Sequence, residues 1–170
     1  MRTVIANAKV LRDDPANYNA RAEVMWAGSL SHNDLTGCGN GGNDFATHML
    51  EQELSGIFDV AHGAGLSALW GSWARYVYRD CLDRFCKYAV NVMGVKGATD
   101  EETALKGIEA TEAFFREIHM PVSLKELNLD PTEEEMDLMA HKCIIAAGGK
   151  KGSAKVLFEE DLRKILEMAR

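Results

Sequence analysis

The stretch DFATHMLEQELSGIFDVAHGAGLSALW, residues 44–70, decides the fold class. Phe45, His48, Met49, Leu50 and Leu54 recur at the three- and four-residue spacing of one helix face. Leu66, Leu69, Trp70 and Trp73 resume that spacing after a break that contains Gly56 and Gly63. Ala, Leu, Met, Glu and Lys recur along the rest of the chain, and strand-type runs of Val, Ile and Thr are scarce. That balance of strong helix formers predicts an all-α domain.

Working outward from this stretch, the pattern predicts a first helix over residues 1–13, stopped by Asp13-Asp14-Pro15. A second runs from Tyr18 to about Leu35, with Ala22, Met25, Trp26 and Leu30 on one stripe. Gly37, Gly39, Gly41 and Gly42 then mark a loop, which has neither the GxGxxG order nor the GK[ST] ending of a phosphate-binding motif. A third helix covers about 44–58. A fourth starts near His62 and extends to about Met93, with room for a break, before Gly94 and Gly97. The acidic run Thr99-Asp100-Glu101-Glu102 opens a fifth, to about His119. Asp130 and Pro131 read as N-cap and first residue of a sixth, with Glu133 as capping-box partner. It reaches about Ala147, and a last helix covers about 158–169. No internal repeat or low-complexity segment interrupts this series.

Length and composition fit one domain. A chain of 170 residues with 46% hydrophobic residues can bury a core. Its net charge of −7 argues against a nucleic-acid partner, and the basic cluster Lys150, Lys151, Lys155 is too small to reverse this. No apolar run reaches the roughly 20 residues that span a bilayer. Met1 to Ile5 do not open a secretion signal with a long apolar middle. A cytoplasmic protein is expected, with Cys38, Cys81, Cys86 and Cys143 reduced.

His48 and His62 share an unusual context among the five histidines. In one straight helix their fourteen-residue separation would be about 21 Å of rise, far beyond two metal–nitrogen bonds of about 2.0–2.1 Å. A chain reversal over Gly56 to Ala61 would return His62 toward His48. By spacing alone the pair reads as core or surface histidines more readily than as ligands, because two imidazoles fill half of a four-ligand shell. Asp44, four residues before His48, could complete a two-His, one-carboxylate site on a shared helix face. His32, His119 and His141 read as structural or exposed.

The stretches MRTVIANA (1–8), YNARAEVMWAGSLSHNDLTGCG (18–39), the 44–70 segment, KYAVNVMGV (87–95), LKELNLD (124–130) and LRKILEMAR (162–170) resemble the iron-containing alcohol dehydrogenases. The likeness is to their butanol dehydrogenase-like branch and covers essentially the whole chain. It implies a helical bundle like the family's C-terminal metal-binding domain, spanning residues 1–170. In the family one Asp and three His hold a divalent metal, iron or zinc, and His48 and His62 match two of those histidines. The other two ligands lie on an earlier family helix, and that helix and the nucleotide-binding domain have no counterpart in these residues. The resemblance thus implies an incomplete domain, inactive by itself, with no catalytic or nucleotide-binding residue assigned within it.

The intact family enzyme would use NADH or NADPH to interconvert small alcohols and aldehydes. Gln52 stands where the family often has a further histidine, and glutamine cannot relay a proton as imidazole does. Asp44, Gln52 and Asp59 are candidates to orient the ligand imidazoles. Phe45 and Trp70 read as core residues or as walls of an apolar substrate pocket. Loss of a preceding helix would bare apolar surface, so association with a second copy or with a separate N-terminal half is expected. The alternative is a non-catalytic helical interaction module.

Overall fold

The computed structural model describes residues 1–39 and 43–170; of the glycine-rich loop, Gly41 and Gly42 lie outside the described residues. Among the described residues the structure is helical, with one isolated bridge pairing Lys151 and Leu157. The helices are α1 (Arg2–Asp13), α2 (Tyr18–His32), α3 (Ala46–Phe58), α4 (His62–Val77), α5 (Leu82–Tyr88), α6 (Asp100–Glu117), α7 (Glu133–Ala146) and α8 (Glu159–Ala169).

Helix α4 is the hub, packed against α3, α6 and α8, while α7 closes over α3 and α8. Its buried face is made of small residues, Gly65, Ser67, Ala68, Gly71, Ser72 and Ala74, with Leu69 and Val77. Small side chains let neighbouring helices approach closely, and a Cβ at Gly71 would overlap the Glu112 carboxylate of α6. Glu112 takes both arms of Arg75 there, Nη2 donating at 2.7 Å, which ties α4 to α6 through a planar charge-assisted pair. Leu50, Leu54, Leu69, Ile108, Met136, Met139, Leu162, Ile165 and Leu166 fill the interior between these helices.

The helix boundaries follow local chemistry. Asn17 caps α2 by accepting from the Ala20 N–H, and Thr99 caps α6 by accepting from that of Glu102. Helix α2 ends at His32, short of Leu35, because Asp34 turns left-handed (φ 61°) and a 3-10 turn follows. The long fourth helix divides at Val77 into α4, a 3-10 turn over Tyr78–Cys81, α5, and a π turn over Ala89–Met93. The sixth predicted helix starts later than the Asp130-Pro131 reading. Thr132 is the true cap, its hydroxyl accepting from Glu135 N while the Glu135 carboxylate accepts from Thr132 N. That reciprocal box satisfies two orphan donors at once. Asp130 instead accepts from Arg170, the residue that closes α8.

Helices α1 and α2 pair mainly with each other. No residue of α1 is fully buried, and of α2 only Ala20 is. The stripe expected from Met25 and Trp26 faces outward, at 72% and 65% exposure. No helix of the described residues is long and apolar enough to cross a membrane.

Candidate metal centre

Helix α3 ends where Asp59 enters the left-handed region (φ 51°), and Val60 and Ala61 lead straight into α4 at His62. The chain therefore doubles back within three residues. This reversal brings the His48 and His62 rings to 5.5 Å between centroids, inclined at 62°. Two imidazoles bound to one tetrahedral ion would have centres roughly 5 Å apart, so the observed separation suits a shared ion.

Glu51 lies under the pair. It is fully buried at 0% exposure, one oxygen bonded to His62 Nδ1 and the other accepting from Ser55 Oγ. Ser55 Oγ also reaches the Val60 carbonyl at 3.2 Å, so the same cluster braces the turn. A Cβ at position 65 would overlap the Glu51 carboxylate, so glycine is what lets α4 pass over it. With Nδ1 turned inward, His62 presents Nε2 outward, and its side chain is 54% exposed. Burial lowers the pKa of His48 below its ordinary range, with His62 pushing the same way and Glu51 pulling back. A neutral ring is the form that can offer a lone pair to a metal.

Among the described residues no hydrogen bond joins Asp44, Gln52 or Asp59 to either imidazole. Asp44 precedes α3 rather than sharing its face with His48. Its Oδ1 accepts from Ala46 N at 3.0 Å, and its Oδ2 accepts from Ser153 N and Ala154 N at 2.7 and 2.9 Å. It thus holds the first N–H of α3 and pins the 153–154 segment, and among the described residues the compact Asp44–His48–His62 site is not formed. Gln52 is exposed on α3, and Asp59 is exposed at its C-terminal end. Among the described residues no three His, Cys, Asp or Glu side chains gather to hold an ion by themselves.

Glu51 escaped the sequence reading because an acidic residue beside Gln52 and Glu53 looks like a solvated face. The signal was its position: it follows Leu50 and precedes Leu54 by three, on the side of α3 that must be buried. Of the other histidines, His32 is close enough for its charge to help lower the pKa of His48. His32 and His119 are exposed, and His141 is exposed beside Glu159, with Nδ1 2.9 Å from its carboxylate.

An apolar cavity of about 510 Å³ opens next to His48. Phe45, Thr47, Leu66, Trp70, Phe115 and Met120 are among its walls, so Phe45 and Trp70 are cavity residues as well as packing residues. Phe45 holds a left-handed backbone (φ 53°), uncommon outside glycine, and its ring meets His48 edge-on at 5.1 Å. Trp70 leans on Trp73, Tyr88 and Phe115. A larger cavity of about 660 Å³ shares Trp70 and Trp73 but neither imidazole lines it.

The sequence model of the Fe-containing alcohol dehydrogenase family, C-terminal part, matches residues 1–170. The chain belongs to this family. NADH-dependent butanol dehydrogenase A of Clostridium acetobutylicum is 32% identical over 169 residues, covering 98% of this chain and 43% of that protein. A probable NADH-dependent butanol dehydrogenase 1 of Bacillus subtilis is 34% identical over 169 residues, 98% of this chain and 42% of the relative. The crystal structure of NADH-dependent butanol dehydrogenase A from Thermotoga maritima superposes with a TM-score of 0.90 at 34% identity, over 99% of this chain and 43% of that one. The chain spans less than half the length of these relatives and is the Fe-containing alcohol dehydrogenase C-terminal domain in sequence and in fold.

Proposed function

We propose that residues 1–170 form the metal-holding, substrate-facing part of an NAD(P)-dependent alcohol dehydrogenase that interconverts alcohols and aldehydes. The observation that carries this reading is the pair of imidazoles facing each other beside an apolar cavity. His48 and His62 supply two ligands for a divalent metal, and their nitrogen donors accept iron or zinc alike. The remaining Asp and His come, by family resemblance, from the helix that precedes this segment in the longer enzymes. A metal bound there would supply Lewis acidity toward a substrate oxygen, and a nicotinamide bound by the other half of the longer enzymes would supply the hydride chemistry. The chain's own contribution is positional. His48, at the cavity wall, and His62 would hold the metal, and Phe45 and Trp70 flank the space for the alkyl part of a small alcohol or aldehyde and exclude water from it. Gln52 offers hydrogen bonds but no proton relay.

The outward apolar side chains Tyr18, Met25 and Trp26 on α2 fit association with a second copy or with the remainder of the enzyme. Sedimentation at rising concentration should show mass above the 18.7 kDa monomer; a clean monomer throughout contradicts this. Four free thiols suit a reducing, cytoplasmic setting.

The function is tested in a chimera. Residues 1–170 replace the matching segment of the Thermotoga maritima butanol dehydrogenase, and alcohol-dependent reduction of NAD or NADP is followed. Activity is expected, with a loss of at least a hundredfold in His48→Ala and in His62→Ala. The 170 residues alone should show none. A folded chimera whose activity survives both substitutions overturns the reading and favours a non-catalytic helical module.

A further inference from the structure

We propose that Glu51 is a positioning residue that fixes the ring orientation and tautomer of His62, so that Nε2 faces the space shared with His48. This rests on the reading of His48 and His62 as metal ligands. Four observations lead to it. Glu51 is a carboxylate at 0% exposure, which an interior accepts only when both oxygens have partners. Those partners are His62 Nδ1 and Ser55 Oγ, both polar groups of the α3–α4 reversal. Gly65 leaves the volume that the carboxylate occupies, one turn into α4 from His62. The 62° inclination between the imidazoles shows the outcome, a His62 ring held on edge to its partner rather than stacked on it.

A carboxylate only accepts, so the nitrogen facing it carries the proton. Nδ1–H donates to Glu51, and the lone pair is left on Nε2. An imidazole free to flip would divide its time between tautomers and orientations, and an ion would have to select the competent one. Carboxylate partners of ligand histidines also raise ring basicity, and their loss typically weakens metal affinity by about 10–100-fold.

The experiment uses the full 170-residue chain labelled with 15N in histidine. Ring correlation spectra of the metal-free protein at neutral pH should show His62 protonated at Nδ1 and bare at Nε2. A wild-type His62 with its proton mainly on Nε2 overturns the proposal, whether or not any metal binds. Zinc is then titrated into the wild type, Glu51→Gln and Glu51→Asp while the His48 and His62 signals are followed. Glu51→Gln should populate the Nε2–H tautomer and weaken zinc binding about tenfold or more, with helical content unchanged; Glu51→Asp should recover part of both. Unchanged tautomer and affinity in a folded Glu51→Gln chain also overturns it. If zinc leaves both wild-type rings untouched, the metal reading fails, while the tautomer populations still decide the role of Glu51.

Discussion

Two helical hairpins in this domain start from similar sequence material and end differently. Helices α1 and α2 are joined across Asp14 to Asn17, and α3 and α4 across Asp59 to Ala61. Both pairs carry apolar residues at helical spacing. In α3–α4 those residues meet α6, α7 and α8, and Leu50, Leu54 and Leu69 lose essentially all contact with water. In α1–α2 the hairpin packs on itself, leaving Met25 and Trp26 outside. Periodicity reports that a face can be buried; only a third element decides whether it is.

The largest expected contrast comes from truncating one side chain in each hairpin. Leu69→Ala opens a cavity at the hub and should cost about 2–5 kcal/mol, read as a drop in the urea midpoint. Trp26→Ala, although a larger truncation, should change stability by no more than about 0.5 kcal/mol in the monomer. Equal losses at both positions would erase the distinction between the hairpins.

A smaller effect separates α4 from any helix held by apolar contact alone. Glu112→Ala strands the Arg75 guanidinium against Gly71 and should cost about 1–3 kcal/mol. The lower end is expected because the Arg75 side chain keeps 34% of its exposure and solvent can screen it. Urea unfolding of Glu112→Ala beside Glu112→Gln measures it.

The link from α4 to α8 can be read through pH. Tyr76 donates to Asp161, and that bond, aided by burial, pushes the phenol from 10.0 up to about 12. The folded state keeps this proton longer than the unfolded state does. The contribution is therefore fully present below pH 10 and is lost as pH rises toward 12. Tyr76→Phe should cost about 1 kcal/mol at pH 8 and narrow the gap to wild type in alkali. A gap that widens above pH 10 would contradict the sign.

The smallest effect is kinetic. Cys38 is exposed, whereas burial pushes the buried Cys143 thiol up to about 11. A thiol reagent should label Cys38 first and Cys143 last, because the thiolate is the nucleophile. Mass spectrometry of timed samples gives the order, and early labelling of Cys143 would mean that α7 opens readily.

Much of the fold was legible because helix starts are written in local chemistry. The start of α2 at Tyr18 and the acidic first turn of α6 after Thr99 could be placed to within a residue. The α7 start was misplaced by two residues because Asp130-Pro131 and Thr132-Glu135 both spell a cap. Only the reciprocal bonding of the second pair chooses between them. The His48–His62 approach was legible as a requirement for chain reversal, yet nothing in the spelling showed the reversal closing within three residues. Asp44 was misjudged because its partners, Ser153 and Ala154, lie more than a hundred positions away. Glu51 was missed because burial of a charge depends on the helices that cover it, and charge patterning along one helix cannot show them.

The central claim is that His48 and His62 converge on one ion. Crystals of the domain soaked in zinc and measured at the zinc absorption edge test it most directly. The account predicts a single strong anomalous peak about 2.0–2.1 Å from one nitrogen of each ring. Zinc bound at His141 and Glu159 with none between His48 and His62 would contradict it.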